Sequence, residues 1–288
     1  MTNRAPSVRL GDRFETDSHA WPRGRLVLFV HGFNVDEYGA LERYGHFLSR
    51  LRRVSHRLAD SVAFLFWPSK GCFPVGVACY PVIVRRVAQV APSLSEFIEW
   101  TQTADVVRGE LVVIAHSLGC RLVLEALKHI DRPPPNLRLI LMAAAVPTHL
   151  MKTGKRLGDL LRAPKAFSGN RRWVHAHVLY SGFDGVLRFV FPLGESLVLQ
   201  EWHALPEAVG LHGGPDDGPW SDAVPMGFYL HGSYWKDRKR QTTRAVAEAV
   251  GLPIARRIRP RRPPRMRNLG TRPDPEERQG PGLRPIRR

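Results

Sequence analysis

The sequence predicts an α/β fold in which a mostly parallel sheet is wrapped by helices, and three observations carry that prediction. Short apolar runs recur along the 288 residues with helical segments between them, the pattern of strands joined by crossover helices. One run, Leu111 to Ala115, is apolar throughout and leads straight into His116-Ser117-Leu118-Gly119, as a strand buried on both faces of a parallel sheet would. The residues from Leu118 to Ile130 then alternate apolar and polar positions at helical spacing. A serine at such a strand-to-helix junction occupies a tight turn that lifts its hydroxyl above the sheet. Ala115 stands where the first glycine of the G-x-S-x-G elbow usually stands, a mild change because a small side chain suffices there.

Taken in order, the strand candidates are Leu26–Val30, Val62–Phe66, Leu111–Ala115, Leu137–Met142, Val174–Tyr180 and Leu197–Gln200. Between the first two, Leu41, Tyr44, Leu48 and Leu51 recur at three- and four-residue intervals and predict an amphipathic helix. A second helical segment runs from Val84 to Trp100 and is expected to break around Pro92. The helix after Ser117 must stop before Pro133-Pro134-Pro135. A final helix is expected over Lys236 to Val250.

Length is enough for one full domain, expected over residues 25–251 after an N-terminal extension at 1–24. Residues 148–172 hold seven basic residues against Asp159 and form a lid-like insertion, although a solvated helix face would carry the same charges. The formal charge of +17 is concentrated late in the chain: residues 252–288 contain 12 arginines and eight prolines against three acids. Such a composition predicts a disordered tail. With neither a motif nor an aromatic platform, it points to no specific nucleic acid, and at most to weak contact with an anionic membrane. The 36 arginines against seven lysines also fit a compositional bias.

Cys72, Cys79 and Cys120 are too few for a disulfide framework. With no apolar N-terminal segment and no apolar run of spanning length, they point to a soluble protein of the cytoplasm. Nothing in the sequence speaks to the oligomeric state.

A serine nucleophile needs a base, an orienting acid and oxyanion donors. In this type of fold the order is Ser, then Asp or Glu, then His. The acid candidate is Asp184, directly after the Val174–Tyr180 strand, where an N-cap would also favour aspartate; Asp216, Asp217 and Asp222 are its rivals. The base candidate is His231, by its place in the order and its neighbour Gly232. His203 and His212 remain rivals, whereas His129, His149, His175 and His177 read as surface or strand positions. The oxyanion donors would be the N–H groups of Leu118 and Phe33, with Gly32 allowing close approach of the backbone. His31 and His116 flank the site in roles read as structural, and Asn34 is expected to orient its loop through its side chain.

The segments Phe29-Val30-His31-Gly32-Phe33-Asn34, Trp67-Pro68-Ser69, Ala115-His116-Ser117-Leu118-Gly119, Tyr180-Ser181-x-x-Asp184 and His231-Gly232-Ser233-Tyr234 follow one another in that order. Together they resemble a bacterial family of α/β-hydrolases of unknown function, over roughly residues 25–240. The resemblance implies an α/β-hydrolase fold with Ser117, Asp184 and His231 as the triad, and it places Trp67 and Ser69 near the pocket with His31, Asn34 and His116. Core packing and loop capping are the plainer roles for Trp67 and Ser69. One departure stands out: relatives carry Pro-Asp after the fourth strand, where this chain has Val146-Pro147-Thr148.

The expected activity is a serine hydrolase acting on a small-molecule ester or related acyl substrate, with no metal or organic cofactor. A non-catalytic binding or scaffolding protein, an acyltransferase, and a lipase tethered through its basic tail are the alternatives.

Overall fold

The computed structural model describes residues 5–17, 21–22, 24–71, 78–104, 109–130, 134, 136–161, 174–200 and 205–252. The expected tail beyond residue 252 and residues 162–172 of the lid-like insertion lie outside them, as do His203 and Cys72.

Among the described residues, an eight-stranded sheet forms the centre. Its strands are β1 (Ser7–Leu10), β2 (Phe14–Thr16), β3 (Arg25–Val30), β4 (Val62–Phe66), β5 (Glu110–His116), β6 (Leu137–Met142), β7 (Val174–Tyr180) and β8 (Asp222–Pro225). The spatial order is β2-β1-β4-β3-β5-β6-β7-β8. Only β1 and β2 pair antiparallel. Strand β5 is central, with Ala115 opposite Val30 on one side and Leu141 on the other. Its residues Leu111 to Ala115 are buried, which explains the unbroken apolar run.

Helices cover both faces: α1 (Glu37–Arg52), α2 (His56–Ala59), α3 (Tyr80–Thr103), α4 (Leu118–Leu127), α5 (Arg156–Leu160), α6 (Phe191–Leu199), α7 (Val209–His212), α8 (Ser233–Lys236) and α9 (Gln241–Ala249). The first helix begins at Asp36, whose side chain accepts from the Gly39 N–H, and it buries Tyr44, Phe47 and Leu51. Tyr44 and Phe47 pack with Phe29 and Trp235 at centroid distances of 5.3 to 5.6 Å, a cluster that fixes β3 beneath the loop it feeds.

Several expectations need correction. The sheet begins at Ser7, inside the expected N-terminal extension. These two strands are only four and three residues long, and the exposed Arg9 sits between Val8 and Leu10, so no sustained alternation announces them. Strand β8 was equally silent, being short and mostly exposed. Leu197–Gln200 is not a strand. It closes α6, and Gln200 ends that helix in the left-handed region at φ 57°; a short apolar run does not distinguish the two states.

Pro92 lies within an unbroken α3. The helix is held there by a buried face from Val87 through Ile98, and the Ser95 hydroxyl bonds to the Ala126 carbonyl of α4 at 2.7 Å. The expected final helix is two helices. Asp237, buried and left-handed, accepts from the N–H groups of Thr242 and Thr243, the Thr243 hydroxyl and the Tyr229 hydroxyl, so it ends α8 and starts α9.

Beside α4, Arg121 donates to both oxygens of Glu195 on α6 at 2.8 and 2.9 Å, and the Tyr80 hydroxyl reaches the same carboxylate at 3.1 Å. This buried ion pair joins three helices around the site. Cys120 is free and buried. Cys79 is disulfide-bonded. Among the described residues no helix is long and apolar enough to cross a membrane.

Candidate active site

Strand β5 ends at His116, and Ser117 turns the chain into α4 with φ 55° and ψ −125°. That backbone is costly for a residue with a Cβ and persists only where the surroundings enforce it. Two glycines allow the turn to nest. A Cβ on Gly119 would stand 2.3 Å from the His31 carbonyl oxygen, and one on Gly32 would stand 2.8 Å from Ser117 Cβ. The β3 loop therefore lies directly against the elbow, and Ala115 is fully buried without crowding it.

Three side chains from separate loops meet here. The hydroxyl of Ser117 is 2.9 Å from His231 Nε2, and His231 Nδ1 is 2.8 Å from Asp184 Oδ2. Asp184 is acceptor-only and fully buried, so it holds the Nδ1–H tautomer and leaves the Nε2 lone pair facing the serine hydroxyl. The other oxygen, Oδ1, accepts from the N–H groups of Val186 and Leu187. Asp184 thus caps the following helical turn with one oxygen and contacts the histidine with the other.

The rival acids are elsewhere. Asp217 bonds to Thr153, and Asp222 sits exposed in β8 opposite His177. Asp216 is exposed, and none of the three bonds to His231. Among the other histidines, His212 is in α7 and His175 and His177 are in β7.

The N–H groups of Phe33 and Leu118 have no acceptor among the described residues, and Leu118 is the first residue of α4, where the helix dipole favours negative charge. The loop bearing Phe33 is clasped by the Trp67-Pro68-Ser69 segment. Trp67 Nε1 donates to the His31 carbonyl at 2.8 Å, and the Ser69 hydroxyl donates to the Val35 carbonyl at 2.8 Å. The Asn34 N–H donates to the Ser69 carbonyl at 2.9 Å. His31 stacks on Trp67 with 15° between the planes; its Nε2 accepts from the Trp67 N–H and its Nδ1 lies 3.1 Å from the Gly32 carbonyl.

Trp67, Ser69 and His31 also line a cavity of about 260 Å³ with Arg9, Asp36 and Lys70. None of Ser117, Asp184 or His231 borders it, and Lys70 is ion-paired to Asp36. Asn34 is exposed and left-handed at φ 55°. Its side chain makes no hydrogen bond among the described residues, so it shapes the loop through backbone conformation and not through its amide, contrary to the expectation.

His116 is buried, and its Nε2–H donates to the backbone carbonyl of His231 at 2.8 Å, with the rings 4.8 Å apart. Its Nδ1 has no partner among the described residues. Burial first, and the nearby His231 second, push its pKa well below the usual value. Ser181 ties the acid and base loops together. Its hydroxyl donates to the Gly227 carbonyl and accepts from the N–H groups of Phe183 and Tyr229. The sequence offered only its place in a motif, since its partners lie 46 and 48 residues away.

Burial lowers the His31 pKa from 6.5 to about 4. The folded protein keeps this ring neutral while the unfolded chain takes up a proton below pH 6.5. The stabilisation is thus complete above pH 6.5 and is lost as pH falls through 4, roughly 3 kcal/mol by that point. His116 acts in the same direction. Denaturant unfolding at pH 7 and pH 4 is expected to show a drop that shrinks in His31→Gln; an equal drop in both proteins would contradict the assignment.

Among the described residues, no group of three or more His, Cys, Asp or Glu side chains is placed to hold a metal ion. Residues 10–147 match the model of a family described as "Alpha/beta hydrolase of unknown function (DUF900)". With the eight-stranded sheet and the elbow after β5, the fold is that of an α/β-hydrolase. An esterase from Pyrobaculum calidifontis is similar in structure at 16% identity, covering 82% of this chain and 79% of that one with a TM-score of 0.39. Est1E from Butyrivibrio proteoclasticus is similar at 10% identity, 80% and 89% coverage and a TM-score of 0.44. No curated protein matches the chain.

Proposed function

We propose that the protein is a serine hydrolase that cleaves a carboxylic ester or a related acyl compound. The observation that carries this reading is the unbroken relay of hydrogen bonds from Ser117 through His231 to Asp184. His231 takes the hydroxyl proton at Nε2 as Ser117 Oγ attacks the carbonyl, and Asp184 stabilises the imidazolium that forms. The N–H groups of Phe33 and Leu118 face the developing oxyanion, each worth about 3–4 kcal/mol in comparable sites. His231 returns its proton to the leaving alcohol. Water, deprotonated by the same nitrogen, then attacks the acyl-enzyme and frees Ser117.

The structural histidines keep out of this path. His31 has its ring nitrogens committed to the Gly32 carbonyl and the Trp67 N–H, and His116 supports the backbone of His231. A short aryl ester tests the reading. Wild type should release the aryl alcohol and, on rapid acid quench, carry the acyl group on Ser117 by mass spectrometry. Absence of both would sink the proposal, and transfer of the acyl group to an added alcohol in preference to water would redefine it as acyl transfer.

A further inference from the structure

The helical stretch from Val186 to Leu199, a π-helical turn continuing into α6, is apolar on both sides. Leu187, Phe191 and Pro192 face the core, and Glu195 closes its ion pair with Arg121. On the outer side Phe183, Val186, Val190, Leu193 and Leu197 recur at intervals of three, four, three and four residues, and each is more than a third exposed. A helix apolar all round is ordinarily buried, so this stripe is a face without a cover among the described residues.

The stripe continues onto the histidine loop. Phe183 packs on Phe228 at a centroid distance of 4.4 Å, and Phe228 is 71% exposed. Phe183 immediately precedes Asp184, and the exposed Leu230 immediately precedes His231. The apolar surface is therefore built on the same two loops that deliver the acid and the base.

Charge identifies what this surface meets. The segments 181–200 and 226–240 contain three acids, Asp184, Glu195 and Asp237, and all are buried. Arg188 is exposed on the stripe itself. Lys236, Arg238 and Lys239 are exposed at the end of α8 and just after it; α8 packs on α1, whereas α6 packs on α3. An apolar face that carries an arginine and no exposed acid suits an anionic lipid surface. A second copy of the chain would set Arg188 against a face that offers it no exposed carboxylate.

We propose that this face seats the protein on anionic phospholipid surfaces, so that the acyl group reaching Ser117 is a fatty acyl chain drawn from such a surface. The substrate half of this inference rests on the serine-hydrolase reading; the docking half does not.

The test uses the full chain carrying Ser117→Ala, so that nothing is hydrolysed, sedimented with vesicles of phosphatidylglycerol or of phosphatidylcholine. Binding should favour phosphatidylglycerol. Adding Phe189→Ser, at a side chain 66% exposed on the same helical stretch, with Phe228→Ser, or Val186→Ser with Leu193→Ser, should each lower vesicle partitioning by about tenfold or more while the unfolding curve is unchanged. Absence of vesicle binding, or equal binding by both double variants, would overturn the proposal. So would a solution dimer that the double variants convert to monomer, because a second copy would then own the face. Fluorophosphonate labelling of the protein with Ser117 intact separates the two readings: failure to label with vesicle binding preserved would remove the hydrolase and leave the surface.

Discussion

Replacing His231 with alanine is expected to lower turnover of a short aryl ester by about 10⁶-fold, the loss seen when a hydroxyl nucleophile is deprived of its base. The geometry explains why nothing nearby would substitute. His31 is held neutral at a pKa of about 4 and uses its two nitrogens on the Gly32 carbonyl and the Trp67 N–H. His116 donates to the His231 carbonyl, a backbone contact that the substitution leaves in place. The variant should therefore fold normally, and its activity at saturating ester is the measurement. A loss under about a hundredfold, the lower range for a general base, would mean that another group takes the serine proton.

Asp184→Asn is expected to cost about 10⁴-fold in turnover, the effect of a wrong tautomer in a comparable triad. Asparagine can keep the cap, because its carbonyl oxygen can still accept from the Val186 and Leu187 N–H groups. Its amide nitrogen would then face His231 Nδ1, forcing that nitrogen to accept and placing the ring proton on Nε2. The hydroxyl of Ser117 would lose its acceptor while the fold persists. Thermal unfolding alongside the kinetics separates these effects. Activity lost only in proportion to stability would show Asp184 to be a cap alone, and near-wild-type turnover would show that another group orients the histidine.

What could be read from the sequence follows the range of the physics involved. The strands β3 to β7 were legible because burial requires apolar runs, and β4, β6 and β7 match their expected bounds. The runs are continuous over Leu26–Val30, Val62–Phe66 and Leu111–Ala115 and interrupted only by half-buried Arg138 in β6 and His175 and His177 in β7. The strands β1, β2 and β8 are too short to establish a period. Leu197–Gln200 misled because its apolar residues belong to a helix face left open to solvent, where hydrophobicity does not report burial. At the site, the positions of Ser117, Asp184 and His231 were readable because each follows a strand or long loop in a fixed order along the chain.

The supporting contacts were not readable in this way. The clasp of Trp67 and Ser69 on the β3 loop spans 34 to 38 residues, and Ser181 reaches across to Gly227 and Tyr229. Such bonds depend on register between distant loops, which local pattern does not encode. Asn34 shows the limit from the other direction: an amide suggests a hydrogen bond, whereas here the residue serves a left-handed turn.

The central claim is that Ser117 is an activated nucleophile, and a fluorophosphonate probe reads that property directly. The folded wild-type protein should be labelled at a single site, with the probe's phosphorus bonded to Ser117 Oγ, and Ser117→Ala should remain unlabelled. A folded wild type that takes no label, or a Ser117→Ala protein that labels as readily, would contradict the account.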